Sequence, residues 1–155
     1  MFADDRKNPA ATARIRGSEK YSTINGRADF YDTYGGTIIM VEVKGIPEEA
    51  GNGFHGFHIH QGGSCTGNEE DAFADTGRHY APQDKPHPEH AGDLPPLLAN
   101  KGTAWMAVYT DRFYPEDVIG KTAVIHSRPD DFCTQPSGDS GEKIACGEIK
   151  EWANR

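Results

Sequence analysis

Long apolar runs are missing from this chain. No stretch reaches the 18 or so residues of a membrane-spanning helix. Basic charge is scarce: 16 Lys and Arg stand against 24 Asp and Glu, for a net charge of −8. The cations are also scattered, which excludes the basic footprint of a nucleic-acid binder. Cysteine is limited to Cys65, Cys133 and Cys146, an odd count that allows one disulfide and one free thiol. No long amphipathic helical pattern occurs, and 18 Gly with 10 Pro punctuate the chain too often for a helical bundle. Internal repeats and low-complexity tracts are absent as well.

What remains is a globular chain of 155 residues, 35% hydrophobic, with a length suited to one domain. Residues 1–10 are polar and contain Pro9; they read as a loose tail before a single domain over 11–155. The opening Met1 to Lys7 has no apolar stretch of the secretory kind. The expectation is either a cytoplasmic chain or an exported one, periplasmic or extracellular, whose signal precedes the sequence given.

Period-two alternation begins at Ala13 and Ile15 against Arg14 and Arg16. Ile24 to Tyr31, Gly36 to Gly45, Phe54 to His60, Thr103 to Thr110, Thr122 to His126 and Ile144 to Trp152 complete the set of expected strands. Tyr114 to Val118 reads as a turn or short helical piece. Short strands with turns between them predict an all-β antiparallel sandwich or barrel. Two segments resist strand assignment: residues 61–100, rich in Gly, Pro, Asp and His, and residues 127–142, rich in Ser, Asp, Gly and Pro. A loop of the first kind is seldom without function.

Six of the seven histidines lie between His55 and His90; the seventh is His126. His58 and His60 are two apart on an expected strand, so both side chains share a face. Alone, such a pair reads equally as two exposed strand histidines. Downstream stand His79, His87, His90 and Asp93, the last three spaced by three in a Pro/Gly loop. Imidazoles with one carboxylate suit four-coordinate zinc. A nitrogen-only set of His58, His60 and His126 with a fourth imidazole suits copper. His79 lies between the two groups in sequence and can serve either.

These segments resemble the copper/zinc superoxide dismutase family. His55-Gly56-Phe57-His58-Ile59-His60-Gln61-Gly62-Gly63-Ser64-Cys65 resembles its copper-ligand strand. Thr76 to Pro82 resembles the stretch around its bridging histidine, and His90 to Pro95 the end of its zinc loop. Val124-Ile125-His126 with Asp130-Asp131 resembles the last copper ligand and the aspartate behind it. Gly141 to Gly147 resembles its C-terminal disulfide segment. The likeness runs in order over about residues 11–152.

The resemblance implies an eight-stranded antiparallel Greek-key β-sandwich or barrel with two long functional loops. It implies copper held by His58, His60, His79 and His126, and zinc held by His79, His87, His90 and Asp93. His79 would bridge the ions and take a proton when the copper side of the bridge opens. Asp130 would accept hydrogen bonds from His58 and His87. His55 would be structural. Cys65 and Cys146 would form the internal disulfide. Cys133 has no counterpart partner; it reads as a small half-buried side chain, or else as a redox-sensitive or dimer-bridging thiol.

The implied activity is disproportionation of superoxide to oxygen and hydrogen peroxide by copper cycling between its two oxidation states. The substrate is an anion and the protein is anionic, so local positive charge must steer. The family's arginine beside copper is replaced here by Lys143, which keeps the charge but lacks the planar fork. Ser137 resembles a hydroxyl neighbour at the channel mouth, and Lys101, Lys121 and Arg128 are further candidates for the field. Only two residues separate His87 and His90, with Pro86 and Pro88 stiffening the approach, and altered zinc affinity is expected. The ending Glu148-Ile149-Lys150-Glu151-Trp152 is more charged than a eukaryote-like dimer contact. A bacterial-type member is expected, as a monomer or a homodimer using another face.

Two other readings compete with the enzyme. A non-catalytic zinc- or copper-binding relative of the same fold would be expected to lack copper ligands, yet all four are present. A zinc hydrolase on His87, His90 and Asp93 would need an open position for water, which His79 would close, and no HExxH-type base is present.

Overall fold

The computed structural model describes residues 8–50 and 53–153, and within them the regular secondary structure is almost entirely β. Residues 1–7, most of the expected tail, lie outside the described residues. Pro9 is already buried, and Ala10 hydrogen-bonds through its N–H to Phe30 O and through its carbonyl to Trp152 N.

Nine strands form: β1 (Ala11–Gly17), β2 (Asn25–Thr33), β3 (Gly36–Lys44), β4 (Phe54–His55), β5 (Phe57–His60), β6 (Leu97–Asn100), β7 (Thr103–Thr110), β8 (Thr122–His126) and β9 (Lys143–Glu151). Among the described residues the one α-helical turn, α1 (Pro115–Val118), falls within the expected Tyr114 to Val118. Alternation decides what faces inward. Ala11, Ala13 and Ile15 of β1, and Ile39, Val41 and Val43 of β3, are buried, with their neighbours turned outward. The core joins them to Phe30, Phe57, Ile59, Leu97, Ile125, Ile144 and Ile149.

All pairings are antiparallel, in the spatial order β4-β6-β7-β3-β2-β1-β9-β8-β5. The two ends of that order, β4 and β5, are separated in the chain only by Gly56. One continuous segment therefore closes the sheet into a nearly complete barrel.

The count is nine strands where the resemblance implies eight. Phe54 to His60 is not one strand, because Gly56 leaves the ladder. Its N–H donates to Arg128 O at 2.9 Å, and its carbonyl accepts from His126 N at 2.8 Å. The second difference is β6, which lies inside the expected loop 61–100. It pairs with both β4 and β7, and the β6–β7 turn runs through Lys101 and Gly102, both at positive φ. The first long loop is thus 61–96; the second is 127–142.

The strand β5 is buried on both faces. Phe57 and Ile59 enter the core, whereas His58 and His60 point the other way, under the loops. The first loop then runs back along β5 through bridges between His58 and Asp93 and between His60 and His79. A second, smaller apolar cluster of Phe73, Val124 and Cys146, with Cys65 against it, fastens this loop to the outside of the barrel. There Cys65 and Cys146 form a disulfide with a Cα–Cα distance of 5.7 Å.

Candidate metal centre

The strand β5 supplies His58 and His60, the end of β8 supplies His126, and the first loop supplies His79, His87, His90 and Asp93. His58, His60, His79, His87 and His126 are all buried to 4% exposure or less. One nitrogen from each of His58, His60, His79 and His126 lies within 4.8 Å of the others. A second group, His58, His79, His87 and Asp93, meets the same distance. His58 and His79 belong to both, their rings 4.0 Å apart between centroids.

Hydrogen bonds determine which nitrogen is free. A carbonyl or carboxylate can only accept, so the ring nitrogen facing it carries the proton. His60 Nδ1 donates to Gly77 O at 2.8 Å, and His126 Nδ1 donates to Gly141 O at 3.2 Å. His58 Nε2 and His87 Nε2 donate to the two oxygens of Asp130, both at 2.8 Å. Lone pairs are thereby left on His60 Nε2, His126 Nε2, His58 Nδ1 and His87 Nδ1. Neither His58 Nδ1, His87 Nδ1 nor His79 Nε2 has a hydrogen-bond partner, although each is buried. Buried polar atoms without partners are costly, and several of them converging on one space is the signature of a site for a cation.

Around Asp93 the donors crowd together. His79 Nδ1 lies 2.8 Å from Asp93 Oδ1, and the Nδ1 atoms of His87 and His90 each lie 3.1 Å from Oδ2. His79 Nδ1 and His90 Nδ1 are 3.2 Å apart. Such spacings match ligands about 2.0–2.1 Å from a shared tetrahedral ion, which stand roughly 3.3 Å from one another. The residues present therefore fit a zinc-type site at Asp93 and an all-nitrogen site at His58, His60, His79 and His126. His79 turns one ring nitrogen to Asp93 and has its other, Nε2, buried and unpartnered.

Electrostatics keep the cluster in its ligating form. Burial, reinforced by the neighbouring imidazoles, holds His60 and His126 well below the usual histidine range. Burial also lowers His79, to about 4, against the hydrogen bond it donates to Asp93. Asp130 runs the opposite way: burial would raise it, but the hydrogen bonds from His58 and His87 and from Phe132 N–H hold it well below the ordinary carboxylate range. Asp93 is likewise lowered, because contacts with His79, His87 and His90 outweigh its burial. At neutral pH His60, His79 and His126 are neutral and Asp93 and Asp130 charged, as metal binding requires.

The remaining candidates lie around this centre. His55 is buried outside both groups and donates from Nδ1 to His126 O at 2.9 Å. Lys143 begins β9, in register with His126. Its Nζ lies 3.2 Å from Asp71 Oδ2, 3.3 Å from Phe73 O and 3.4 Å from Gly77 O, the carbonyl that also receives His60. Arg128 pairs with Asp139 at 2.7 Å, and Lys121 sits over the Tyr80 ring at 4.9 Å. Ser137 is half-buried and its carbonyl accepts from Ser140 Oγ. Lys101 is in the exposed β6–β7 turn.

Cys133 departs from the expected half-buried side chain and is exposed. Asp131 Oδ1 accepts from the N–H groups of Cys133 and Thr134, which builds a tight turn that carries the thiol outward.

Several supporting residues carry no motif. Gln135 grips the backbone of His87 from both sides, accepting from its N–H at 2.9 Å and donating to its carbonyl at 2.7 Å. Arg112 Nη1 donates to Pro88 O and His90 O, both at 2.9 Å, and so holds the turn between His87 and His90. Gly138, at φ 71°, packs where any Cβ would collide with Asp130 Oδ1 and press on His87 Nε2. The only sequence signal for these is Gly and polar residues in a loop.

Comparison with known proteins agrees with this geometry. The family model described as copper/zinc superoxide dismutase (SODC) matches residues 24–149. A protein of Aquifex aeolicus named superoxide dismutase [Cu-Zn] 2 is 31% identical, over 96% of this chain and 90% of its own length. One of Pasteurella multocida named superoxide dismutase [Cu-Zn] is 35% identical, over 74% of this chain and 68% of its own. Among solved structures, the Cu/Zn superoxide dismutase from Brucella abortus superposes with a TM-score of 0.75 at 26% identity, covering 90% of this chain and 99% of that one.

Proposed function

The chain belongs to the copper/zinc superoxide dismutase family, and from that premise we propose a division of labour among its residues. The protein is a copper/zinc superoxide dismutase, with copper and zinc as its cofactors. In the proposal His58, His60, His79 and His126 hold copper, and His79, His87, His90 and Asp93 hold zinc. The convergence of buried imidazole nitrogens whose opposite protons are already committed supports this reading above all.

When bound, copper supplies reversible one-electron transfer, so that two superoxide ions and two protons become dioxygen and hydrogen peroxide, while zinc supplies fixed charge. His79 faces Asp93 through Nδ1 and takes up or releases a proton at Nε2 as the centre changes charge. Asp130 holds protons on the Nε2 atoms of His58 and His87, which keeps both Nδ1 atoms available and couples the two sites. Lys143 attracts the anion; its charge sits one carbonyl away from His60.

The chain end is proposed not to form a eukaryote-like dimer. Ile149 is buried in the barrel, and Lys150 and Glu151 are exposed beside it. We further propose that residues 11–155 act as one domain.

The test is catalysed superoxide decay by the copper- and zinc-loaded protein, with metal content measured on the same sample. Fast decay at one copper per chain is expected. Full copper occupancy without turnover would overturn the catalytic reading.

A further inference from the structure

Lys143 is engaged in a way its role does not require. An ammonium has three N–H donors. Three protein acceptors surround this one: Asp71 Oδ2 at 3.2 Å, Phe73 O at 3.3 Å and Gly77 O at 3.4 Å. An incoming anion must therefore displace one of them. The two carbonyls belong to the loop backbone, and Gly77 O is held by His60 as well. Asp71 is different. Its side chain is 39% exposed, against 16% for Lys143, and it carries a full negative charge.

Neither Arg128 nor Lys121 compensates. Arg128 is paired with Asp139, and Lys121 lies over Tyr80. Asp71 is also fixed in place. Its Oδ1 accepts from Phe73 N at 2.9 Å, its carbonyl accepts from Asn68 N and Ala74 N, and its own N–H donates to Asn68 Oδ1. The loop thus presents Oδ2 to the ammonium as a standing anion.

We propose that Asp71 is an internal competitor for Lys143 and sets how tightly the centre takes a small anion. It is a positioning residue that acts through Lys143. The inference rests on Lys143 serving as the anion guide in the proposed dismutase. Asp71 holds the ammonium in place near His60, and in doing so lowers the share of time that its charge is open to substrate.

The replacement Asp71→Asn isolates the charge. Asparagine keeps an Oδ1 acceptor for Phe73 N–H, so the loop turn is preserved while the carboxylate is lost. Azide is the probe, titrated into copper- and zinc-loaded protein and followed by the copper(II) visible absorption. Freeing a partly exposed ion pair should tighten azide about two- to fivefold. Asp71→Glu, which keeps the charge, should bind azide as the parent does. In a Lys143→Met background azide binds more weakly, and Asp71→Asn then makes no further difference.

Unchanged or weaker azide binding in Asp71→Asn overturns the proposal. So does equal tightening in the Lys143→Met background, which would make Asp71 a general negative charge and not a competitor for this cation. Unaltered azide affinity in Lys143→Met alone would remove the guide and the proposal with it. Azide binding is read without turnover, so a failure of superoxide decay in the parent protein is a separate result that bears on the dismutase reading.

Discussion

The Nε2 atoms of His60 and His126 stand 3.3 Å apart, and neither carries a proton to share. Each ring keeps its proton on Nδ1, where it donates to a backbone carbonyl, of Gly77 and Gly141 respectively. Two lone pairs are thus aimed at one another in a buried space. Only an electrophile between them relieves that opposition.

Loading the metals should therefore stabilise the fold strongly. At a free-ion level about 1,000 times Kd, one site contributes about 4 kcal/mol, and a chain of this size gains roughly 2–4 °C in Tm per kcal/mol. Calorimetry before and after chelation should show Tm falling by about 10 °C or more. An unchanged Tm would mean that these residues do not form a metal centre.

Asp130→Asn should weaken both sites at once. The amide nitrogen must donate to one ring, forcing that ring's proton onto the nitrogen needed for metal, and the amide oxygen accepts from the other without the carboxylate's charge, which makes that ring a less basic ligand. Losses of this kind run to about 10–100-fold in affinity. Competition titrations with a chelator should show zinc and copper both loosening. A loss confined to one metal would separate the roles of His58 and His87.

Acid should destabilise the metal-free protein early. The pKa values of His60, His79 and His126 are lowered in the folded state, that of His79 to about 4, chiefly by burial. In the unfolded chain such rings protonate near pH 6.5. As pH falls from about 6.5 towards 4, the unfolded state binds more protons, and stability declines. Asp93 and Asp130, lowered in the fold, add a further loss once pH drops below about 4. Urea midpoints measured from pH 7.5 to 4 should slope downward. A flat profile above pH 5 would contradict neutral burial of the rings.

Replacing Cys65 and Cys146 by Ser should cost about 4.5 kcal/mol on the chain-entropy account, since the bond closes a separation of 81 residues. The same bond tethers the loop that carries Asp71, Gly77 and His79. Zinc and copper affinity should fall with stability in the double variant. Unfolding curves and metal titrations on one preparation would show whether the two losses travel together.

The sequence and the fold inform each other unevenly. His58 and His60 were legible because strand alternation alone puts both on one face of β5. The group His87, His90 and Asp93 was legible from its spacing. The break at Gly56 was not, because it is imposed by Arg128 and His126, some seventy residues away. Nor was β6, four residues long behind Pro95 and Pro96, which becomes a strand only when β4 and β7 flank it. Arg112 and Gln135 work through backbone groups of the turn from His87 to His90, and Asp71 meets its partner across the fold, so nothing local marks them. The exposure of Cys133 depends on a turn that Asp131 builds.

Barrel closure through Gly56 has one more outcome. The outer edge of β5 is not left open: Ile59 N and Gln61 N donate to Gly92 O and Arg78 O, and Ile59 O accepts from Tyr80 N. That cover is the loop bearing His79 and Asp93. The loop that carries those residues thus occupies the backbone edge on which another strand could otherwise pair. The loop that brings His79 and Asp93 together is therefore also the last strand-like layer on the barrel edge.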